Sequence, residues 1–580
     1  MAAADPRAPS FVELFTPKLV TVLRERYGLA DLQSDAIAGL TVAIVALPLS
    51  MAIAIASGVT PDRGLYAAIV GGFVVSALGG SRFQIGGPAG AFIVLVAATV
   101  AQHGIDGLIL ATFLSGLILL AVGFLRLGTF IKYIPYPVTV GFTAGIAVII
   151  LASQVKDLLG LRLDGGEPAP LVPKLAALAA ALPTVNGAAV LVAAVAMATI
   201  VGVRRWRPRW PSFLIAVAFA SGLAALLGLP VETIGTRFGG IPDMLPAPAL
   251  PDLSPARVVE VLPAALSFAL LGGIESLLSA VVADSMSGRR HRSNAELVGQ
   301  GAANVASALF GGICVTGTIA RTATNVRSGA RGPVAGMLHS LFLLSFMVVA
   351  APLASFIPLA ALAGVLAIVA WNMAERHELA VLLRASRGDA LVLVATFLIV
   401  IFRDLAEGIL VGFALGTLLF LHRMANAVDV EHRPITIEAD RADDDRANGE
   451  GRGPYDARLA SDPSVVVCRI SGAFFFGAVA SVAAALDRIG AQPRAYVIDV
   501  SAVPLLDSTA AAMIEGFLRK AERSGAPVYI AGARPAIRRT LLAHGVRPPR
   551  ARYRATLADA VSAARRPGRI PADEAPALRA

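Results

Sequence analysis

Long apolar runs, following one another with only short polar links between them, decide what this chain can become. They lie at residues 35–57, 64–79, 88–102, 107–124, 131–152, 186–203, 211–228, 259–282, 294–310, 318–330, 333–351, 355–372, 389–402 and 404–423. A helix needs about 20 apolar residues to cross the hydrocarbon core of a bilayer, and fewer where it is broken. About fourteen spans are therefore expected, in a polytopic α-helical membrane protein. Composition agrees: 56% of residues are hydrophobic and 16% charged, against roughly 45–50% and about 25% in soluble chains.

The net charge of +10 raises the question of nucleic acid, and its placement answers it. Basic residues gather in links between spans: Arg126 and Lys132; Arg204, Arg205, Arg207 and Arg209; Arg289, Arg290 and Arg292; Arg327 and Arg331; Arg376, Arg384 and Arg387. Links 157–167, 232–252 and 403–407 hold more of the acids. This is the positive-inside pattern, so the partner is a lipid bilayer and not nucleic acid. It predicts a multi-pass protein of the cell inner (plasma) membrane with both termini cytoplasmic. Residues 1–34 then form a cytoplasmic segment, with no secretory signal in it. Cys314 and Cys468 stand far apart in unlike contexts, which argues against a disulfide framework.

Two segments about 230 residues apart resemble each other. The run Val74 to Gly80 recurs from Val305 to Gly312 with one inserted residue. Each helical stretch stops at paired glycines, crosses four residues (Arg82 to Ile85; Ile313 to Thr316), meets glycine again, and restarts as a small-residue helix. Glycine pairs also permit tight helix packing, but repetition favours a paired site. Bare backbone at membrane depth survives only where protein or a cavity satisfies it. Interrupted segments at matching places in two halves point to a transporter's binding site. Each restarting helix brings unpaired N–H groups and about half a positive charge. Inverted halves would set the two starts face to face and make an anion site.

Two charges lie in this apolar sequence. Glu275 is surrounded by apolar and small residues, which marks it as functional by default; Ser279 is one turn away on the same face. Arg321 sits at the start of the second broken helix. Two helix starts give about +1 and Arg321 another +1, while ionised Glu275 gives −1. A divalent anion is then under-neutralised unless Glu275 takes a proton or a sodium ion, so Glu275 is expected to couple anion uptake to a cation. His103, His339 and His422 are isolated and read as helix-end or packing residues. Pro48 and Pro137 are expected to kink their helices.

Beyond residue 428 the composition changes. Residues 429–462 read as a flexible acidic linker, 463–565 as a small α/β domain with a largely parallel sheet, and 566–580 as a disordered tail. Its strands are expected at 464–470, 494–500 and 527–531, and its helices at 479–489, 509–523 and 536–544.

The stretches Leu47 to Ala52, Gly64 to Tyr66, Gly80 to Pro88, Pro137 to Ser153, Gly273 to Asp284, Asn294 to Gln300 and Gly311 to Ala335 closely resemble the sulfate permease family, also known as solute carrier family 26. The resemblance implies a seven-plus-seven inverted repeat over 35–428, with core and gate domains and the anion held between the starts of spans three and ten. Its contacts would be Ala89, Gly90, Ala91, Thr318, Ile319, Ala320 and Arg321. Sodium-using relatives place an acid near the same cavity, so Glu275, Ser279, Thr316 and Thr318 would be the cation-coupling group, with a sodium site at Glu275, Ser279 and Thr316. Leu49 and Ala89 depart from the glutamine and phenylalanine of some animal relatives. The C-terminal domain resembles the STAS fold through the run Val503 to Thr509. That implies regulation at Ser508 or Thr509, although Asp507 or Ser508 can equally cap a helix. A cytoplasmic protein or nucleotide partner at this domain, and a homodimer, are also expected.

The expected function is secondary active transport of a small inorganic oxyanion, sulfate first, by alternating access with proton or sodium symport. Bicarbonate or C4-dicarboxylate uptake and an uncoupled anion exchanger or channel are the alternatives. The chain carries no phosphate-binding loop and no nucleophile constellation, so neither an enzyme nor a cofactor is expected.

Overall fold

The computed structural model describes residues 11–129, 135–163, 167–168, 170–207, 210–403, 405–433, 465–487 and 493–565. The chain divides into a helical unit, Met1–Gly416, and a second unit, Thr417–Ala580. The predicted tail at 566–580 and most of the predicted linker lie outside the described residues.

Among the described residues, each apolar run of the sequence overlaps helix. In the first half, α1 is Leu29–Ala56, and α2 (Pro61–Tyr66) passes through a π-helical turn at Ala67–Gly71 into α3 (Gly72–Leu78). A two-residue strand β1 (Gly86–Gly87) and a 3-10 turn (Gly90–Phe92) lead into α4 (Ile93–Phe124). Gly104, with φ 69° and ψ −171°, breaks α4 between the runs at 88–102 and 107–124. Then come α5 (Tyr136–Leu159), α6 (Gly187–Trp206) and α7 (Ser212–Leu226). Pro137 does not kink α5: it lies in the first turn, where its missing N–H has no intrahelical partner to lose.

The second half repeats the order. It runs through α8 (Pro255–Ser287), α9 (Ser293–Leu309), β2 (Thr316–Gly317), α10 (Ile319–Arg327) and α11 (Val334–Ala354). It ends with α12 (Leu359–Met373), α13 (Arg387–Phe402) and α14 (Leu405–Asn426). Among the described residues, eight helices are long and apolar enough to cross a membrane. α3, α9 and α10, beside β1 and β2, are shorter because the chain is extended there.

Each half lends its fourth helix to the other. α4 packs along α8 and α9, while α11 packs along α1 and α3. In lipid there is no hydrophobic drive between helices, so close backbone approach must supply the cohesion. Gly116 and Gly301 do so at the α4–α9 contact. A Cβ on Gly116 would lie 2.7 Å from the Gly301 carbonyl oxygen, and one on Gly301 would lie 2.6 Å from that of Gly116. A second group forms where α5 packs on α12 and α13, and α6 on α7 and α12.

The C-terminal unit carries a five-stranded sheet in the order β3-β4-β5-β6-β7. Its strands are β3 (Asp429–Arg433), β4 (Val465–Ser471), β5 (Ala495–Asp499), β6 (Val528–Ala531) and β7 (Ala551–Arg554). β4 to β7 pair in parallel, and β3 joins β4 antiparallel, Asp429 opposite Ser471. β3 falls where the sequence predicts the start of a linker. Short and charged, it lacks the apolar alternation that announces a strand, and it pairs because β4 offers an edge. One face of the sheet packs Ile470, Ile498 and Ile530 against α15 (Val479–Asp487) and α16 (Ser508–Arg523), with α17 (Pro535–Ala543) in the same core. The other face packs Val467, Val497 and Tyr529 against Val561 and Ala564 of α18 (Leu557–Arg565). Burial on both faces explains the continuous apolar runs of β4 to β6.

Candidate functional site

The two glycine-flanked interruptions meet. β1 and β2 pair antiparallel, Gly86 opposite Gly317 and Gly87 opposite Thr316. Further bonds bind the crossovers together. The Thr318 N–H and Oγ1 both donate to the Ile85 carbonyl, at 3.0 and 3.1 Å. The Ile85 N–H donates to Thr322 Oγ1 at 3.1 Å, and Asn325 Nδ2 donates to the Phe83 carbonyl at 2.9 Å. Extended backbone that would otherwise be unsatisfied in the bilayer thus satisfies itself across the two halves.

This pairing sets two helix starts side by side, and neither is capped by a side chain. Ala89, at the first, has no group that could cap. Thr318, at the second, could, but its hydroxyl is turned to Ile85. Leading amides at 90–91 and 319–321 are therefore left for a ligand, with the helix dipoles behind them.

Both starts face a cavity of about 1120 Å³, whose wall includes Leu49, Pro88, Ala89, Gly90, Ala91, Phe142, Phe213, Glu275, Thr318, Ile319, Ala320, Arg321 and Met373. Arg321 is 2% exposed. Its Nη2 donates to Ser50 Oγ at 3.1 Å and to the Pro88 carbonyl at 3.3 Å. Nε and Nη1 have no hydrogen-bond partner among the described residues. A Cβ on Gly87 would come within 2.5 Å of Nη1, so the guanidinium lies against bare backbone beside the first helix start. A buried cation with unused donors, next to two uncapped helix starts, attracts an anion.

α8 serves two purposes with adjacent residues. Its face carrying Gly272, Ser276 and Ser279 meets the second crossover. Thr316 Oγ1 donates to the Gly272 carbonyl at 3.1 Å and lies 2.8 Å from Ser276 Oγ, which accepts from the Gly317 N–H at 3.2 Å. Ser279 Oγ donates to Thr322 Oγ1 at 3.1 Å. Glu275, about 100° round the helix from Ser276, reaches the cavity, and its Oε2 has no partner among the described residues.

The structure thus brings Ala89, Gly90, Ala91, Glu275, Thr318, Ile319, Ala320 and Arg321 to one cavity. It does not bring Ser279 and Thr316 there: both are fully buried, with their hydroxyls engaged behind the crossover. Sequence reasoning missed Ser50, which holds Arg321, and Gln84, which is buried against Gly317. Both stood within the quoted stretches, but no periodicity singled them out. In the C-terminal unit Asp507 is the cap: Oδ1 accepts from the Ala510 N–H at 2.8 Å and Oδ2 from the Phe476 N–H at 2.9 Å. Ser508 and Thr509 are exposed at the start of α16.

Residues 32–396 match the sulfate permease family, and residues 456–560 match the STAS domain. The chain is 38% identical over 512 residues to YvdB of Bacillus subtilis, a protein named for sulfate transport, covering 87% of this chain and 92% of that one. It is 31% identical over 528 residues to the bicarbonate transporter BicA of Synechocystis, covering 88% and 90%. Among solved structures, the murine solute carrier 26 family member A9 anion transporter in the inward-facing state superposes with a TM-score of 0.81. At 18% identity it covers 97% of this chain and 96% of that one, and shows the shared fold.

Proposed function

The chain belongs to the sulfate permease family, and on that premise we propose that it is a secondary active transporter of a small inorganic oxyanion, sulfate first, working by alternating access. The observation that carries this is the β1–β2 pairing, which aims two uncapped helix starts and the unused donors of Arg321 at one cavity. Amides and a guanidinium suit a compact oxyanion with several acceptor oxygens. The anion would rest between residues 89–91 and 318–321. Glu275, in the same wall, would bind the proton or sodium ion that completes charge balance. Ser279 and Thr316 would act behind it, fixing the crossover rather than touching the cation.

Exposed Arg204 and Arg327 also line the cavity and belong to the basic links that the positive-inside rule assigns to the cytoplasm. On that orientation the cavity opens inward. Bicarbonate is the second reading, favoured by the likeness to BicA over nine-tenths of that protein.

Purified protein in liposomes, offered labelled sulfate, bicarbonate and succinate with and without proton or sodium gradients, tests this. Gradient-driven accumulation of sulfate is expected. Accumulation of bicarbonate alone would select the second reading, and flux indifferent to every cation gradient would remove the coupling.

A further inference from the structure

One helix holds both halves of the candidate anion site without touching its cavity. On α9, Glu296, Gln300, Asn304 and Ser307 recur at intervals of four, four and three, so they stand on one face. All four are buried, at 2% exposure or less, and none lines the cavity. A buried polar stripe in a membrane helix is costly unless it serves a partner, and this one serves the crossovers.

The bonds form two groups on one helix, joined through the α9 backbone at Gln300. The Ser81 N–H, in the first crossover, donates to Glu296 Oε2 at 2.9 Å. Gln300 Nε2 donates to Glu296 Oε1 at 3.0 Å. Asn304 Nδ2 donates to the Gln300 carbonyl at 2.9 Å and to the Val315 carbonyl at 2.8 Å. The Val315 N–H, in the second crossover, donates to Asn304 Oδ1 at 2.9 Å. Ser307 Oγ adds a bond to the Ile313 carbonyl at 2.7 Å. Its counterpart in the first half, Ser76, bonds the Gly72 carbonyl of its own helix instead. The first crossover therefore depends on α9 of the opposite half. The backbones are nearly in contact there, since a Cβ on Gly80 would lie 2.2 Å from the Arg292 carbonyl oxygen.

We infer that Glu296, Gln300 and Asn304 are positioning residues of the anion site, fixing the spacing between its two helix starts and thereby its affinity. This rests on the anion lying between those starts. Loosening groups that hold the bound anion removes binding without touching the later steps, so it appears in KM before it appears in turnover.

The test measures KM and kcat of sulfate uptake in liposomes, with thermal midpoint and membrane abundance alongside, for Asn304→Ala, Gln300→Leu, Glu296→Gln, Glu296→Leu and Arg321→Ala. Asn304→Ala, Gln300→Leu and Glu296→Leu should raise KM about ten-fold or more and leave kcat within about three-fold. Glu296→Gln should stay near the parent KM, because its Oε1 still accepts from Ser81 and the Gln300 amide can turn its unpartnered Oε1 toward it. Gln300→Leu keeps roughly the side-chain volume and removes only the polar group, so it reports even if Asn304→Ala fails to accumulate. An unchanged KM in Asn304→Ala and Gln300→Leu, with loss only in midpoint or abundance, overturns the inference. So does Glu296→Gln behaving as badly as Glu296→Leu. If those variants keep their KM while Arg321→Ala raises it, the inference alone fails; if Arg321→Ala also keeps its KM, the anion site falls with it.

Discussion

Adding one methyl group to Gly317 should weaken anion binding, and removing the Gln84 side chain should restore it. A Cβ on Gly317 would lie 1.6 Å from Gln84 Nε2, 2.3 Å from Cδ and 2.9 Å from Cγ. Ordinary contact begins at 3.4 Å, so the shortfall at Nε2 is 3.4 − 1.6 = 1.8 Å. Gln84 is 3% exposed, so its side chain has to repack among its neighbours to admit the methyl, or β2 has to retreat from β1. Overpacking of this kind costs about 1–3 kcal/mol. Each ~1.4 kcal/mol that falls on binding is ten-fold in affinity, so Gly317→Ala should raise the KM for sulfate between about 5- and 150-fold. Gln84→Ala alone should be mild, because neither amide atom has a hydrogen-bond partner among the described residues and none is therefore lost. The double variant should recover most of the loss, with a coupling of about 1–2 kcal/mol. The assay is uptake by purified protein in liposomes, with the thermal midpoint in detergent as a check. A Gly317→Ala protein with parental KM, or a double variant no better than the single, refutes the reasoning.

Three further outcomes are expected. Glu275→Gln should abolish the response of uptake to a proton or sodium gradient while leaving anion exchange at equal concentrations; gradient-driven accumulation surviving this change would remove Glu275 from coupling. Asp507→Ala should lower the stability of the C-terminal unit by about 0.5–2 kcal/mol through loss of the α16 cap, with Asp507→Asn nearer the parent, both read from the unit's melting transition; no difference between alanine and asparagine would contradict the cap. Burial pushes the Cys468 thiol up to about 12, so it stays protonated at pH 8, and Cys314 is 1% exposed. Iodoacetamide should therefore label neither cysteine in native protein and both after unfolding, as read by mass spectrometry, and native labelling at either would contradict their burial.

The parts of the site that were legible in the sequence depend on backbone chemistry. Paired glycines at matching places in two halves announce extended backbone, and extended backbone in a bilayer needs a partner; the partner is the other interruption. Arg321 and Glu275 were legible because a charge in an apolar run must have a use. What stayed hidden depends on which neighbour a side chain chooses. Ser279 is one helical turn from Glu275 in sequence, yet α8 turns the serine to Thr322 and the carboxylate to the cavity. Thr316 is turned to α8 in the same way. The α9 stripe did have a signal, polar residues at helical spacing within an apolar run, but partners such as Ser81 and Val315 are fixed only by the fold. β3 was missed because its pairing is imposed by β4, not by its own alternation.

The most direct measurement is a structure of the purified transporter with selenate, a dense stand-in for sulfate, at saturating concentration. Density is expected between residues 89–91 and 318–321, within about 3 Å of the backbone amides there and of a donor of Arg321. Density confined to any other place, or none at a concentration that blocks sulfate uptake, would contradict an anion held between the two helix starts.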